Sequence, residues 1–361
     1  MPSSPVVESV TTRLNAFLSR MRSDGEAYGP DAAVFLDAAA ATLQGGKRLR
    51  ARFCHDGWAA VAHHRSPGIS ETSALWGLCA ALEIFQSAAL VHDDLIDNSD
   101  TRRGRPASHR ALEAAHRAAG WSGDAEAFGR ASAVLLGDLL VAWSDDLLEE
   151  SLVGEPHGAE VRLEYARMRR DVTVGQMLDS AEESAWSVSP ADAQLERALR
   201  VASLKSARYS IEQPLVLGAA LAGADAAQLT ALRAFGHPVG MAFQLRDDLL
   251  GVFGDAAVTG KPAGDDLREG KRTALIAIAR SRLDAEDQRT LDAALGDRTL
   301  SDVQIGELQQ MLADTGAPER IEQLISDYAA AADAALDGAP LDAAAVRDLR
   351  ALALAATSRS A

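Results

Sequence analysis

An all-α bundle is predicted for this chain on three observations. Apolar residues recur at spacings of three and four across Ser73 to Val91, Phe128 to Leu147 and Ala226 to Val252, the period of a helix with one buried face. Alanine is abundant while aromatic residues make up only 5%. Alternating runs of Val, Ile and Thr, which would mark strands, are missing. Polar stretches such as Ser66-Pro67-Gly68 and Gly154-Glu155-Pro156-His157-Gly158 are short, as inter-helix loops are. Residues 1–361 are therefore expected to form a single helical domain, with 47% apolar residues supplying a large core. Chemistry is expected in the part from about 45 to 273. The helical patterns of residues 274–361, including Leu300 to Leu312 and Pro318 to Leu336, are assigned to packing.

Taken along the chain, the first chemical element is Gly45-Gly46-Lys47-Arg48-Leu49-Arg50, a glycine turn opening into a helix. Free N–H groups and basic side chains at a helix start suit a phosphate. Lys47 and Arg50 share a face at i and i+3. The second element is Val91-His92-Asp93-Asp94-Leu95-Ile96-Asp97, followed by Arg102-Arg103-Gly104. On a helix, Asp93 and Asp97 stand on one face about 6 Å apart and repel unless a cation lies between them. Oxygen donors without His or Cys suit hard cations, and Mg2+ typically takes one or two carboxylates plus substrate phosphates. The third element, Gln244-Leu245-Arg246-Asp247-Asp248-Leu249-Leu250-Gly251, closes another apolar helix. Either acid cluster alone could be a solvated helix end. Two of them, each with basic residues after it, point to bound cations and an anionic ligand.

Composition narrows the partners. A net charge of -16 and a pI near 4.9 argue against nucleic acid, which needs a basic surface. The N-terminus lacks a signal-peptide pattern and no run of 18 apolar residues occurs, so neither export nor a membrane span is expected and the expected location is cytoplasmic. Cys54 and Cys79 belong to no metal or redox motif and are read as reduced, buried residues. His92 is read as a packing residue. Asp145-Asp146 is read as a solvated face, because no base follows it in the sequence.

Together the three elements resemble the trans-isoprenyl diphosphate synthases, the polyprenyl synthetase family. Further landmarks follow in order: Glu83 and Gln86, Arg102 to Pro106, Gly137-Asp138, Gly175-Gln176 with Asp179, Lys205-Ser206, Gln244, Gly260-Lys261 and Gly270 to Thr273. The resemblance implies a helical bundle with a central cavity, its acid motifs facing each other at helix ends. It also implies condensation of isopentenyl diphosphate with dimethylallyl, geranyl or farnesyl diphosphate, in a homodimer. Mg2+ is the implied cofactor, as three ions per site with Mn2+ able to substitute.

Carried over residue by residue, the resemblance gives Asp93, Asp97 and Asp247 as metal ligands, with Asp94 and Asp248 assisting. Lys47, Arg50, Gln86 and Arg103 fall on the homoallylic diphosphate site. Arg102, Lys205, Ser206, Gln244, Lys261 and Lys271 fall on the allylic side, Arg102, Lys205 and Lys261 being counted with the aspartates as catalytic. Gly251 departs from the pattern, standing where many relatives carry a third aspartate. A carboxylate is thus missing, Asp255 is the nearby substitute expected, and Gly251→Asp is expected to lower the Mg2+ requirement.

Product length is read from the helix below Asp93. Ala88 lies about 7.5 Å and Phe85 about 12 Å down the axis. Ala88 and Ala89 are too small to stop a growing tail, and Phe85 is the first large obstacle, which predicts a C20 product, geranylgeranyl diphosphate. Two rivals differ in what they require. A class I terpene cyclase would need no second diphosphate site, and a silent regulatory subunit of a heteromeric synthase would not need Asp93, Asp94 and Asp97.

Overall fold

A computed structural model describes residues 5–254 and 264–357. The helices are α1 (Pro5–Gly25), α2 (Pro30–Thr42), α3 (Leu49–Arg65), α4 (Ser73–Ile96), α5 (Ser108–Ala118), α6 (Ala125–Ser151), α7 (Gly158–Ala185) and α8 (Gln194–Val201). They continue as α9 (Gln213–Leu221), α10 (Ala226–Phe253), α11 (Asp265–Glu269), α12 (Ala274–Arg280), α13 (Ala285–Ala294), α14 (Asp302–Asp314), α15 (Ala317–Ala335) and α16 (Ala343–Thr357). The starts of the long core helices are locally encoded. Thr72 accepts a hydrogen bond from the Leu75 amide to begin α4, Asp124 caps α6, and Asp225 with Gln228 forms a capping box on α10.

Helix α4 is the centre of the molecule, packed by α1, α3, α6 and α9. It is long and apolar enough to cross a membrane, yet 78% of its most apolar window is buried inside the protein, so it serves as the core helix. One apolar core gathers α1, α3, α4, α6, α7, α9 and the first half of α10. A second gathers the last part of α10 with α12 to α15. Helices α10 and α15 contribute to both cores, Phe235 and Ala332 to the first and Leu249 and Ile325 to the second, and so join the C-terminal helices to the rest.

Two local structures were not foreseen. A small hairpin pairs Thr101–Arg102 with Arg105–Pro106. Its turn residues Arg103 and Gly104 both have positive φ, as a two-residue hairpin turn requires; the turn, rather than β-propensity, forms it. The second is a π-helical segment, Ala202–Glu212, set between α8 and α9.

One acid expected to be only solvated proves to have a structural partner. Asp145 of α6 is half-buried and pairs with Arg169 of α7, a base supplied across the bundle rather than along the chain. His92 packs over Gly137, where a Cβ would come within 2.0 Å of its Nε2. Cys54 and Cys79 are buried free thiols.

Candidate active site

The last turn of α4 carries Asp93 and Asp94, and Asp97 follows as its C-cap. Carboxylates at this end oppose the negative pole of the helix dipole, so their presence needs compensating cations. Three converge here, two from distant parts of the chain and one from the hairpin that follows α4. Lys205 Nζ lies 3.0 Å from Asp93 and 2.6 Å from Asp179. Lys271 Nζ lies 2.5 Å from Asp97 and 3.5 Å from Asp179. Arg102 donates to Asp93 at 3.2 Å and, through Nε, to Asp94 at 2.7 Å. Burial alone would push the Asp93 carboxyl up; Lys205, Lys271 and Arg102 together outweigh it and hold the pKa at about 2.

Lys205 reaches this position from the π segment, where hydrogen bonds shift to i→i+5, a feature that clusters at functional sites. Gly175 of α7 makes the approach possible. A Cβ there would lie 2.4 Å from the Lys205 amide nitrogen, so any larger residue would force α7 and the π segment apart.

Facing this wall is α10, which contributes Gln244, Asp247 and Asp248 to the same cavity of about 310 Å³. Gln244 donates to Asp248 at 2.7 Å. Burial, reinforced by the charges of Asp266, Asp247 and Asp179, pushes the Asp248 carboxyl well above its usual range. The cavity also receives Asp179 and Gln176 from α7, Ser206 and Tyr209 from the π segment, and Asp266, Glu269, Lys271 and Arg272 around α11. It descends along α4 past Leu90 and Ala89 to Gln86.

A hard divalent cation fits this donor set. The walls offer carboxylate oxygens of Asp93 and Asp97 on one side and of Asp247 and Asp266 on the other, with no His or Cys among the lining residues. Among the described residues no three acids converge into a closed cage.

A second, basic cluster lies beside the first. Arg50 donates to Ser210 at 2.7 Å and stacks over the Tyr209 ring at 4.2 Å, while the Tyr209 hydroxyl donates to Gln86 at 2.7 Å. Arg48 adopts a left-handed φ of 49°. Its side chain is buried and bonded to Leu43 O at 2.6 Å and Glu83 at 3.4 Å, and Glu83 also accepts from the Ala51 amide at 3.2 Å. Glu83 thus fixes the glycine turn and the start of α3 together. Arg103 lies across Gly46, whose Cβ would be 3.0 Å from its Nη1. Burial, with repulsion from Arg48, Arg102 and Arg50, lowers the Arg103 pKa, against the opposing pull of Glu83. Crowded guanidiniums of this kind favour an anion between them.

Several expectations need correction. Asp94 is only 3% exposed and is absent from the cavity lining; it sits about 100° around the helix from Asp93 and acts by holding Arg102. Lys47 and Arg103, expected at the separate homoallylic diphosphate site, lie outside the lining of this cavity. Ala88 is fully buried in the core, Phe85 packs against Tyr165 and Tyr209, and only Ala89 of the three tail residues lines the cavity. Lys261 and Asp255 lie outside the described residues. Asp179, Tyr209, Asp266 and Arg272 were absent from the expected site. Asp179 and Arg272 had a sequence signal, since both stand among the landmarks of the family resemblance.

Comparison with known proteins agrees with this geometry. A family model for polyprenyl synthetase matches residues 33–312. The chain belongs to the polyprenyl synthetase family. A solved geranylgeranyl pyrophosphate synthase from Corynebacterium glutamicum, complexed with isoprenyl diphosphate and magnesium, superposes with a TM-score of 0.93 at 39% identity over 100% of both chains. A geranylgeranyl diphosphate synthase of Mycobacterium tuberculosis is 34% identical over 68% of this chain and 66% of its own length. A (2E,6E)-farnesyl diphosphate synthase of the same organism is 35% identical over 57% of this chain and 50% of its own. The matched segment thus spans two thirds or less of these curated relatives. The two names differ in product length, so family membership leaves that property to the residues of the cavity.

Proposed function

We propose that this polyprenyl synthetase is a Mg2+-dependent trans-isoprenyl diphosphate synthase, joining isopentenyl diphosphate to an allylic diphosphate and releasing diphosphate. The observation that carries this reading is one cavity with acids on two facing helices, a basic cluster at its side, and apolar depth below. The acids suit a metal-bound diphosphate, the bases a metal-free one, and the depth a hydrocarbon tail. Mg2+ held by Asp93, Asp97 and Asp247 would supply Lewis-acid stabilisation of the leaving diphosphate. Arg102, Lys205 and Lys271 bind and orient the allylic diphosphate, with Ser206 and Gln244 as hydrogen-bonding partners. Lys47, Arg50, Gln86 and Arg103 hold isopentenyl diphosphate, placing its double bond to attack the allylic carbon as the C–O bond breaks. Loss of a proton from the joined chain completes the step. Lys261 retains its place on the allylic side as part of the proposal.

The proposed main product is geranylgeranyl diphosphate, because Ala89 leaves the descent along α4 open as far as Gln86 and Tyr209. Mn2+ is expected to replace Mg2+, and three ions per site belong to the same reading. Exposed Val134 and Leu135 on α6, with Val174 and Met177 on α7, support a homodimer, which light scattering would test. The central test is incubation with isopentenyl diphosphate and each allylic primer, products being resolved by chromatography. A C20 diphosphate from farnesyl diphosphate is expected. A cyclised hydrocarbon without elongation would make the protein a cyclase, and no product from any primer would leave the silent-subunit reading.

A further inference from the structure

Gly251 lies one helical turn beyond Asp247 on α10, at the position where the second acid cluster lacks its third carboxylate. The structure shows what stands there. A Cβ built on Gly251 would lie 1.9 Å from Asp266 Oδ2, 2.3 Å from its Cγ and 2.8 Å from Oδ1. The carboxyl group of Asp266 therefore occupies the space that a side chain at 251 would enter. Asp266 also lines the same cavity as Asp247 and Asp248.

The backbone places Asp266 there. Gly264, with a left-handed φ of 70°, precedes the five-residue helix α11, which packs against α10. The Lys271 amide donates to Asp266 O at 3.0 Å, closing the segment at its other end. One short unit thus carries an acid toward α10 and a base, Lys271, toward Asp97 of α4. A side chain at 251 would have to displace the Asp266 carboxyl group, so the glycine and the remote aspartate depend on each other.

From this geometry we infer that Asp266 supplies the second acid wall with the carboxylate Gly251 lacks, so that its divalent-cation set is completed from α11. The inference deepens the proposed metal-dependent prenyl transfer and rests on it. It also reverses the sequence-based expectation for Gly251→Asp, because the added carboxylate would collide with the one already present.

The test reads metal binding apart from turnover. Mn2+ is titrated into the full-length protein with inorganic diphosphate present, and free Mn2+ is followed by electron paramagnetic resonance. Asp266→Asn keeps the shape and removes the charge, and should weaken Mn2+ binding about 10- to 100-fold, the range for disturbed metal-site partners. Gly251→Asp alone should bind Mn2+ no more tightly than wild type. Combined with Asp266→Ala, which clears the space, it should recover most of the affinity lost in Asp266→Ala. Wild-type affinity in Asp266→Asn would overturn the inference, as would tighter binding by Gly251→Asp alone or no recovery in the double variant. Asp266→Asn decides the matter by itself if Gly251→Asp does not fold. Elongation is assayed separately on the wild-type protein: its absence would defeat the prenyl-transfer reading, while the Mn2+ titration would still judge Asp266.

Discussion

The two acid walls look alike in sequence and differ in charge balance. On α4, Asp93 is held at about 2 because Lys205, Lys271 and Arg102 overcome its burial. On α10, Asp248 is pushed up by burial and by Asp266, Asp247 and Asp179, and its hydrogen-bond partner is the neutral Gln244. The difference comes from what the rest of the chain brings to each helix. Three cations from the hairpin, the π segment and the loop after α11 converge on α4, whereas α11 brings a further acid to α10. The α4 wall is thus already compensated and can present both fixed cations and ionised carboxylates to a diphosphate. On the α10 wall Asp248 is buried among further acids, and its carboxyl is pushed up rather than down.

The comparison is broken most directly by one substitution on each wall. Asp93→Ala should lower turnover at least about 10²-fold at saturating Mg2+, the scale for losing a stabiliser of transition-state charge. Asp248→Asn should cost less than about tenfold, or 1.4 kcal/mol, since the buried side chain keeps its shape beside Gln244. Steady-state kinetics on both variants decides; equal losses would mean the walls are equivalent.

Compensation on the α4 wall has a stability signature. Lys271→Met removes the ammonium beside Asp97 and Asp179, so that Asp97 loses its lysine while Asp179 keeps Lys205. A loss of about 2 kcal/mol in urea unfolding is expected, below the 3–5 kcal/mol of a fully buried broken pair. Mg2+ with inorganic diphosphate should restore part of it, because a ligand bound only by the folded state stabilises it. No loss without Mg2+ would show that the lysine contributes no net compensation.

A third test separates both walls from the basic cluster. Lys47→Ala should raise the KM for isopentenyl diphosphate about tenfold, within the range for a hydrogen bond to a charged group. The KM for the allylic primer and the Mg2+ dependence should change much less. Equal weakening for both substrates would place Lys47 with the acid walls.

Helical periodicity was enough to read the fold because the long helices bury one continuous face. The windows Ser73 to Val91, Phe128 to Leu147 and Ala226 to Val252 fall within α4, α6 and α10. The same logic placed Asp93 and Asp97 on one face, four residues apart. It did not place what depends on contacts between remote segments. The π segment leaves the apolar pattern of a helix unchanged, so the turn that aims Lys205 is invisible in sequence. Asp179 and Asp266 matter through partners 26 and 92 residues from the first and through a glycine facing the second. Adjacent helical residues point about 100° apart, which turns Asp94 and Ala88 away from the cavity that Asp93 and Ala89 face.

The smallest expected effect concerns where the tail runs, and it extends the comparison downward. Along α4 the cavity lining continues below Asp93 through Leu90 and Ala89 to Gln86, whereas along α10 it stops at Gln244. The tail should therefore follow α4, and Ala89 rather than Ala88 should control its depth. Ala89→Phe fills that path and should shift output from C20 toward C15, with total turnover little changed. Ala88→Phe should instead overpack the core, costing about 1–3 kcal/mol of stability without a matching change in length. Phe85 stands behind Tyr209, edge-on with ring centroids 5.8 Å apart. Phe85→Ala should loosen that floor and lengthen some product beyond C20. Chromatography of the products from all three variants decides between the two faces of α4. A shift to C15 in Ala88→Phe with none in Ala89→Phe would put the tail on the other face, and the depth along α4 would no longer set product length.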